Sequence, residues 1–197
     1  MKRIMINSSI VILFIACNFL SVNAESKHNH KSSTAHPGGV RGELIRQLDE
    51  AEEKLVSLAQ AVPQEKYTWR PQKGVRSISE VYMHVADGTC RLLRNADFEP
   101  PSILDDDYLE QITEKEKVIN LLKLALEHAR NAIVKTSDAG LNTRTTLFGK
   151  KTTYREVFLQ AIIHMHEHLG QSIAYARMND IVPPWTAKEM QQQNNGK

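Results

Sequence analysis

Apolar side chains recur every three or four positions in four separate stretches between residues 40 and 179, with charged residues filling the gaps. That period places them on one face of a helix. The first stretch runs from Val40 to Ala61 through Leu44, Ile45, Leu48, Ala51, Leu55, Leu58 and Ala59, and Pro63 ends it. A loop with Tyr67, Trp69, Pro71 and Gly74 follows. The second helix is predicted from Ser77 to about Asn95. Ser77 and Glu80 have the spacing of a capping box, in which each side chain satisfies the other residue's free backbone N–H. Pro100 and Pro101 lie in the next loop.

Thr113 with Glu116 repeats the capping pattern and opens a third helix. Its apolar face holds Val118, Leu121, Leu122, Leu124, Ala125, Ala129, Ala132 and Ile133, and it ends near Asp138-Ala139-Gly140. Residues 141–152 turn polar and β-prone, with Phe148-Gly149-Lys150 as a turn. A short irregular hairpin-like connection is expected there. Thr153 with Glu156 is predicted to cap a fourth helix reaching about Asn179. Pro183-Pro184-Trp185 follows, and residues 186–197 read as a flexible tail. Four long amphipathic segments with no strand-rich region predict an all-α, up-and-down four-helix bundle over residues 40–185.

The N-terminus has a different pattern. Lys2 and Arg3 precede a short apolar run from Ile10 to Leu20, and Val22-Asn23-Ala24 is small where a signal peptidase reads. Residues 1–24 are expected to be a secretory signal peptide, which places the protein in the periplasm or outside the cell. The run is too short for a membrane span, which needs about 20 apolar residues. Phe14-Ile15-Ala16-Cys17 is an imperfect lipobox, so a lipoprotein anchored at Cys17 is the alternative, ranked second because Phe19 and Leu20 continue the apolar run. Residues 25–39 read as a disordered, polar leader carrying His28, His30 and His36. Such a tract binds metal weakly, because ordering it costs entropy.

Cleavage would change the charge balance. The chain has 25 Lys and Arg against 23 Asp and Glu. Losing Lys2 and Arg3 leaves 23 of each sign. With no basic stripe and no interleaved aromatics, nucleic acid is not an expected partner. Cys90 alone would remain of the two cysteines, so no internal disulfide can form. No phosphate-binding loop, dinucleotide fingerprint or local Ser-His-Asp motif is present.

The chemistry-bearing residues concentrate on the fourth helix, in His164-Met165-His166-Glu167-His168-Leu169-Gly170-Gln171. His164 and His168 lie one turn apart on one face, where two imidazoles can reach one ion. By spacing alone, two unrelated surface histidines fit as well. Gln171 and Tyr175 continue that face. His166 points elsewhere. Phe158, Met165, Leu169 and Ile173 form a separate apolar sector, so this helix suits a central position. On the second helix His84 sits among Val81, Val85 and Gly88. Alone it reads as a core histidine; beside a His pair on another helix it reads as a third ligand. Glu80 and Asp87, each about one turn away, are candidates to orient its ring, or are plain surface charges. Gln171 is a candidate to bond a metal-held water or to satisfy internal polar groups. Glu167 reads as solvated and His128 as a core-edge histidine.

In their order along the chain these pieces resemble the DinB-like superfamily of four-helix-bundle metalloproteins. The resemblance rests on Trp69-Arg70-Pro71, Gly74 and Arg76-Ser77-Ile78 ahead of His84. It also rests on Phe148-Gly149 with Thr153, and on His164-x-x-x-His168-x-Gly170-Gln171 with Tyr175-Ala176-Arg177 and Pro183-Pro184. It spans roughly residues 40–185. It implies one divalent ion held by His84, His164 and His168, and frequent homodimers. The chain departs from many members in having Leu169 where they have Arg. Better-understood relatives are cytoplasmic thiol-cofactor transferases or isomerases. An exported protein would not meet those cofactors easily, so that activity is not carried over.

Three imidazoles leave coordination positions open for water or substrate. Such a site lowers the pKa of bound water and acts as a Lewis acid, which suggests hydrolysis or group transfer on a small molecule. Imidazole suits zinc, nickel, copper or iron alike. The alternatives are a non-catalytic metal-binding or stress protein, and a structural bundle with a vestigial site.

Overall fold

In a computed structural model the protein is described over residues 38–106 and 108–195. The expected signal peptide, Cys17 and the leader histidines His28, His30 and His36 lie outside the described residues. The helices are α1 (Gly39–Ala61), α2 (Ile78–Leu93), α3 (Lys115–Lys135), α4 (Tyr154–Met178) and α5 (Pro184–Asn195). Between α3 and α4 lie two short antiparallel strands, β1 (Arg144–Leu147) and β2 (Lys150–Thr153). The all-α expectation holds. No helix among the described residues is long and apolar enough to cross a membrane.

The apolar faces read from the sequence form one core. Leu48, Leu55, Leu58, Val85, Leu93, Leu122, Leu126 and Phe158 are all fully buried. Each such side chain contributes about 1.5–3 kcal/mol relative to exposure. α1 and α2 each pack mainly against α3 and α4. α1 therefore lies diagonally opposite α2, and α3 opposite α4, while the consecutive α2 and α3 are neighbours. The connection between α1 and α2 is long enough to make that crossing, and it is pinned. The buried Tyr67 hydroxyl donates to the Ala59 carbonyl at 2.9 Å. Ile78 N–H bonds Trp69 O, and Ser79 N–H bonds Tyr67 O.

The helix starts show where local pattern suffices. The Ser77–Glu80 capping box forms as expected. The other two do not. At α3 the N-cap is Glu114, with no side-chain cap of its own. Gln64, from the loop after α1, caps this end instead: its Oε1 accepts from Lys115 N–H at 2.7 Å and its Nε2 donates to Thr113 O at 2.9 Å. A distant amide thus satisfies a free N–H of the first turn, at Lys115 rather than at Glu116, where the Thr113 capping box would have acted. At α4 Thr153 is the N-cap, but its side chain makes no capping bond. There the strand preceding α4 sets the side-chain directions, and the buried Thr152 hydroxyl takes the Glu156 carboxylate.

The hairpin is more regular than expected, with Leu147 opposite Lys150 and Arg144 opposite Thr153. Phe148 and Gly149 both have positive φ, 51° and 77°, as the tightest two-residue turn requires. Beyond α4, a segment expected to be a tail forms α5. Pro184 occupies its first position, where a missing N–H costs nothing, and Pro183 O accepts from Ala187 N–H.

Candidate metal centre

α2 packs along α4, and that contact joins residues far apart in sequence. α2 carries His84, and α4 carries His164 and His168. One ring nitrogen from each lies within 4.8 Å of the others. Ring centroids are 4.6 Å apart for His164 and His168, 4.7 Å for His84 and His168, and 5.1 Å for His84 and His164. No other such group of His, Cys, Asp or Glu occurs among the described residues.

Two of the rings are held through Nδ1. His84 Nδ1–H donates to Glu110 Oε1 at 2.9 Å. The other carboxylate oxygen of Glu110 accepts from Arg76 Nε at 3.0 Å. Glu110 stands in a single 3-10 turn, Leu109–Gln111, which the buried Leu109 fastens against α2. His168 Nδ1–H donates to Gln171 Oε1 at 2.8 Å, and Gln171 Nε2 donates to the Tyr175 hydroxyl at 2.9 Å. Trp69 meets the Tyr175 ring edge-on at 5.5 Å. Using Nδ1 in this way leaves Nε2 of each ring as its lone-pair nitrogen.

His164 is placed by space. A Cβ on Gly88 would lie 2.5 Å from its Cε1 and 2.8 Å from its Nε2, so only glycine on α2 lets this imidazole in. The Nδ1 of His164 is buried with no hydrogen-bond partner among the described residues. An orphaned buried nitrogen is costly.

Burial and nearby charge disfavour protonation of two of the rings, His84 and His164. Burial holds the pKa of His84 below its ordinary value, the Arg76 charge adds to this, and the Glu110 hydrogen bond works against it. His164 is pushed down to about 4, by burial first and then by His168 and His84. Neutral imidazole is the form that ligates metal.

Residues 47–172 match the DinB superfamily. The chain belongs to the DinB superfamily. Two DinB-like proteins of known structure share its fold. One, from Bacillus cereus, superposes with a TM-score of 0.64 at 15% identity, covering 72% of this chain and 93% of that one. The other, from Bacillus subtilis, has a TM-score of 0.56 at 19% identity, covering 71% and 93%. No curated protein matches significantly.

Within this DinB chain, the donor set suits a divalent transition metal. It offers three convergent imidazoles, ring orientations fixed by a carboxylate and an amide, and one buried nitrogen lacking a partner. Gln171 and Tyr175 lie beside His168, as their spacing on α4 predicted. Two expected orienting residues do other work. Glu80 completes the capping box and pairs with Arg70 at 2.7 Å, and Asp87 pairs with Arg91 at 2.7 Å. Glu110 orients His84 in their place. Nothing local marks Glu110, because its role depends on a turn folding back onto α2. His166 is turned away, its Nδ1 on the Ile162 carbonyl at 3.0 Å. His128 is partly buried on α3, away from the cluster.

Proposed function

We propose that this protein is an exported, divalent-metal-dependent enzyme acting on a small molecule by hydrolysis or group transfer. The observation that carries the reading is the histidine trio with its two oriented rings. His84, His164 and His168 would hold one ion, with zinc, nickel and iron all suited to imidazole donors. When bound, such an ion supplies a Lewis acid for a substrate oxygen. The chain's own residues do the rest. Glu110 and Gln171 hold two rings in register, and Gly88 makes room for the third. The neighbouring histidines and burial keep His164 unprotonated. Support for turnover is that three protein ligands are one fewer than a closed structural site uses. Support for export is the Lys2-Arg3 start, the Ile10–Leu20 run and Val22-Asn23-Ala24. A homodimer through the outer face of α4 draws support from Leu159 and Ile163, both exposed on that helix.

The test is metal content by mass spectrometry, on protein purified without a His tag or nickel column. A near-stoichiometric ion is expected, lost in each of His84→Ala, His164→Ala and His168→Ala. No ion, and no uptake on titration with zinc or nickel, would leave a structural bundle.

A further inference from the structure

Arg76 directly precedes Ser77, the N-cap of α2. Its backbone belongs to the loop that the Ile78–Trp69 hydrogen bond closes. Its Nε is committed to Glu110 Oε2 at 3.0 Å, and the opposite oxygen of Glu110 holds His84 at 2.9 Å. One carboxylate thus separates the guanidinium from a candidate metal ligand.

The remainder of that guanidinium is unused. Both terminal nitrogens lack a hydrogen-bond partner among the described residues, and the side chain is 40% exposed. A residue serving only to fasten Glu110 would engage it with two parallel N–H bonds, the usual arginine–carboxylate fork. Here the hydrogen bond to Glu110 uses Nε, which leaves the end-on pair of NH2 groups open to a further partner on a part-exposed side chain. That edge matches two oxygens of one carboxylate or phosphoryl group.

Its position relative to the cluster is also distinctive. Among the described residues, the charges outside the trio that act on His84 and His164 are those of Arg76 and Glu110. Arg76 is the one fixed cation in that set, and its field reaches both rings. The loop's other arginine, Arg70, is spent on Glu80 and on the Val75 carbonyl. A divalent ion on the histidines would deepen the same positive field.

We propose that Arg76 forms an oxyanion site beside the histidine cluster, so that the small molecule acted on carries a carboxylate or phosphoryl group placed on the Arg76 terminal nitrogens. This specifies the substrate class of the metal-dependent reading above and rests on it. Glu110 links the two halves, orienting a ligand ring with one oxygen and the anion-binding arginine with the other.

The experiment titrates the full mature protein, zinc-loaded and metal-free, with acetate and with methylphosphonate. Binding is followed by the NMR shifts of the Arg76 side chain and the amides of residues 74–78, and zinc content is measured in every sample. Saturable shifts at Arg76 are expected in the zinc-loaded protein. At least tenfold weaker binding is expected in Arg76→Gln at unchanged zinc content, with Arg70→Gln behaving as wild type. Arg76→Lys should recover part of the affinity. Equal binding in wild type and Arg76→Gln, equal loss in Arg70→Gln, or no binding of either probe by wild type overturns the inference while leaving the metal reading intact. Failure to take up zinc refutes the metal reading separately. In that event saturable, Arg76-dependent shifts in the metal-free protein still support the oxyanion site, and their absence overturns it.

Discussion

Gly88 and His164 face each other across the α2–α4 contact so closely that a single methyl group would collide with the ring, 2.5 Å from Cε1. Gly88→Ala therefore sets two effects against each other. Alanine favours a helix interior over glycine by about 1 kcal/mol. Forcing a carbon into packed space costs about 1–3 kcal/mol, or else the imidazole rotates away. The collision is expected to dominate at the site. Zinc affinity should fall at least tenfold, while the thermal midpoint of the metal-free protein changes by only a few degrees. Competition against a chromogenic chelator, beside a circular-dichroism melt, checks this. Unchanged zinc affinity would mean that His164 is not a ligand.

Glu110→Gln should weaken metal binding about 10- to 100-fold, the usual effect of losing an orienting partner to a ligand histidine. The amide keeps the shape but loses the charge that favours the Nδ1–H tautomer of His84. Gln171→Leu should act comparably through His168, and Tyr175→Phe less, since its hydroxyl is one bond further out. Glu80→Gln should leave zinc affinity unchanged, because Glu80 serves the cap of α2. Equal losses in Glu80→Gln and Glu110→Gln would refute this division of roles.

How much of this was readable beforehand depends on the distance over which each feature is encoded. The i, i+4 spacing of His164, His168 and the Gln171–Tyr175 continuation is a property of one helix, so the sequence shows it directly. The Ser77–Glu80 cap is local in the same sense. Glu110 and Gln64 could not be found that way. Each acts on an element that tertiary folding brings to it, from a turn with no periodicity of its own. The failed caps at Thr113 and Thr153 follow from the same cause, since a nearby strand or a distant amide decided them. Glu80 and Asp87 looked suitable by spacing, yet arginines on their own side of the molecule claimed them.

Gln64 gives a stability test of that point. Gln64→Ala removes both bonds at the start of α3 and should cost about 1 kcal/mol, the typical value of a helix cap. Thr113→Ala, the change that local pattern would flag, should stay within about 0.5 kcal/mol of wild type. Urea denaturation of both variants measures the difference. The reverse order would show that the Gln64 bonds do not persist in solution.

His128 predicts a pH dependence away from the metal ligands. Burial lowers its pKa from the ordinary 6.5, and Lys135 adds to this against an opposing pull from the Phe98 backbone. The unfolded chain then binds the proton more readily than the folded one. The stability that His128 contributes is complete above pH 6.5 and is lost as pH falls through its lower folded value. His128→Leu should flatten part of the stability decline between about pH 7.5 and 5.5. Urea midpoints of wild type and variant across that range, in the presence of a chelator, are the measurement, and parallel slopes would remove His128 from the account. His84 and His164 titrate in both proteins, so the difference isolates His128.

The trio is split between a local pair and a distant partner. His164 and His168 are neighbours as soon as α4 coils, whereas the whole of α3 and the hairpin separate them from His84 in the chain. An ion captured early by the pair alone would hold two ligands and dissociate readily. Tight capture waits for α2 to dock, so in a refolding experiment zinc uptake should trail the recovery of helicity and coincide with core closure. Metal loading would then work as a checkpoint on assembly, because an ion on the trio would be retained only by molecules whose bundle is complete.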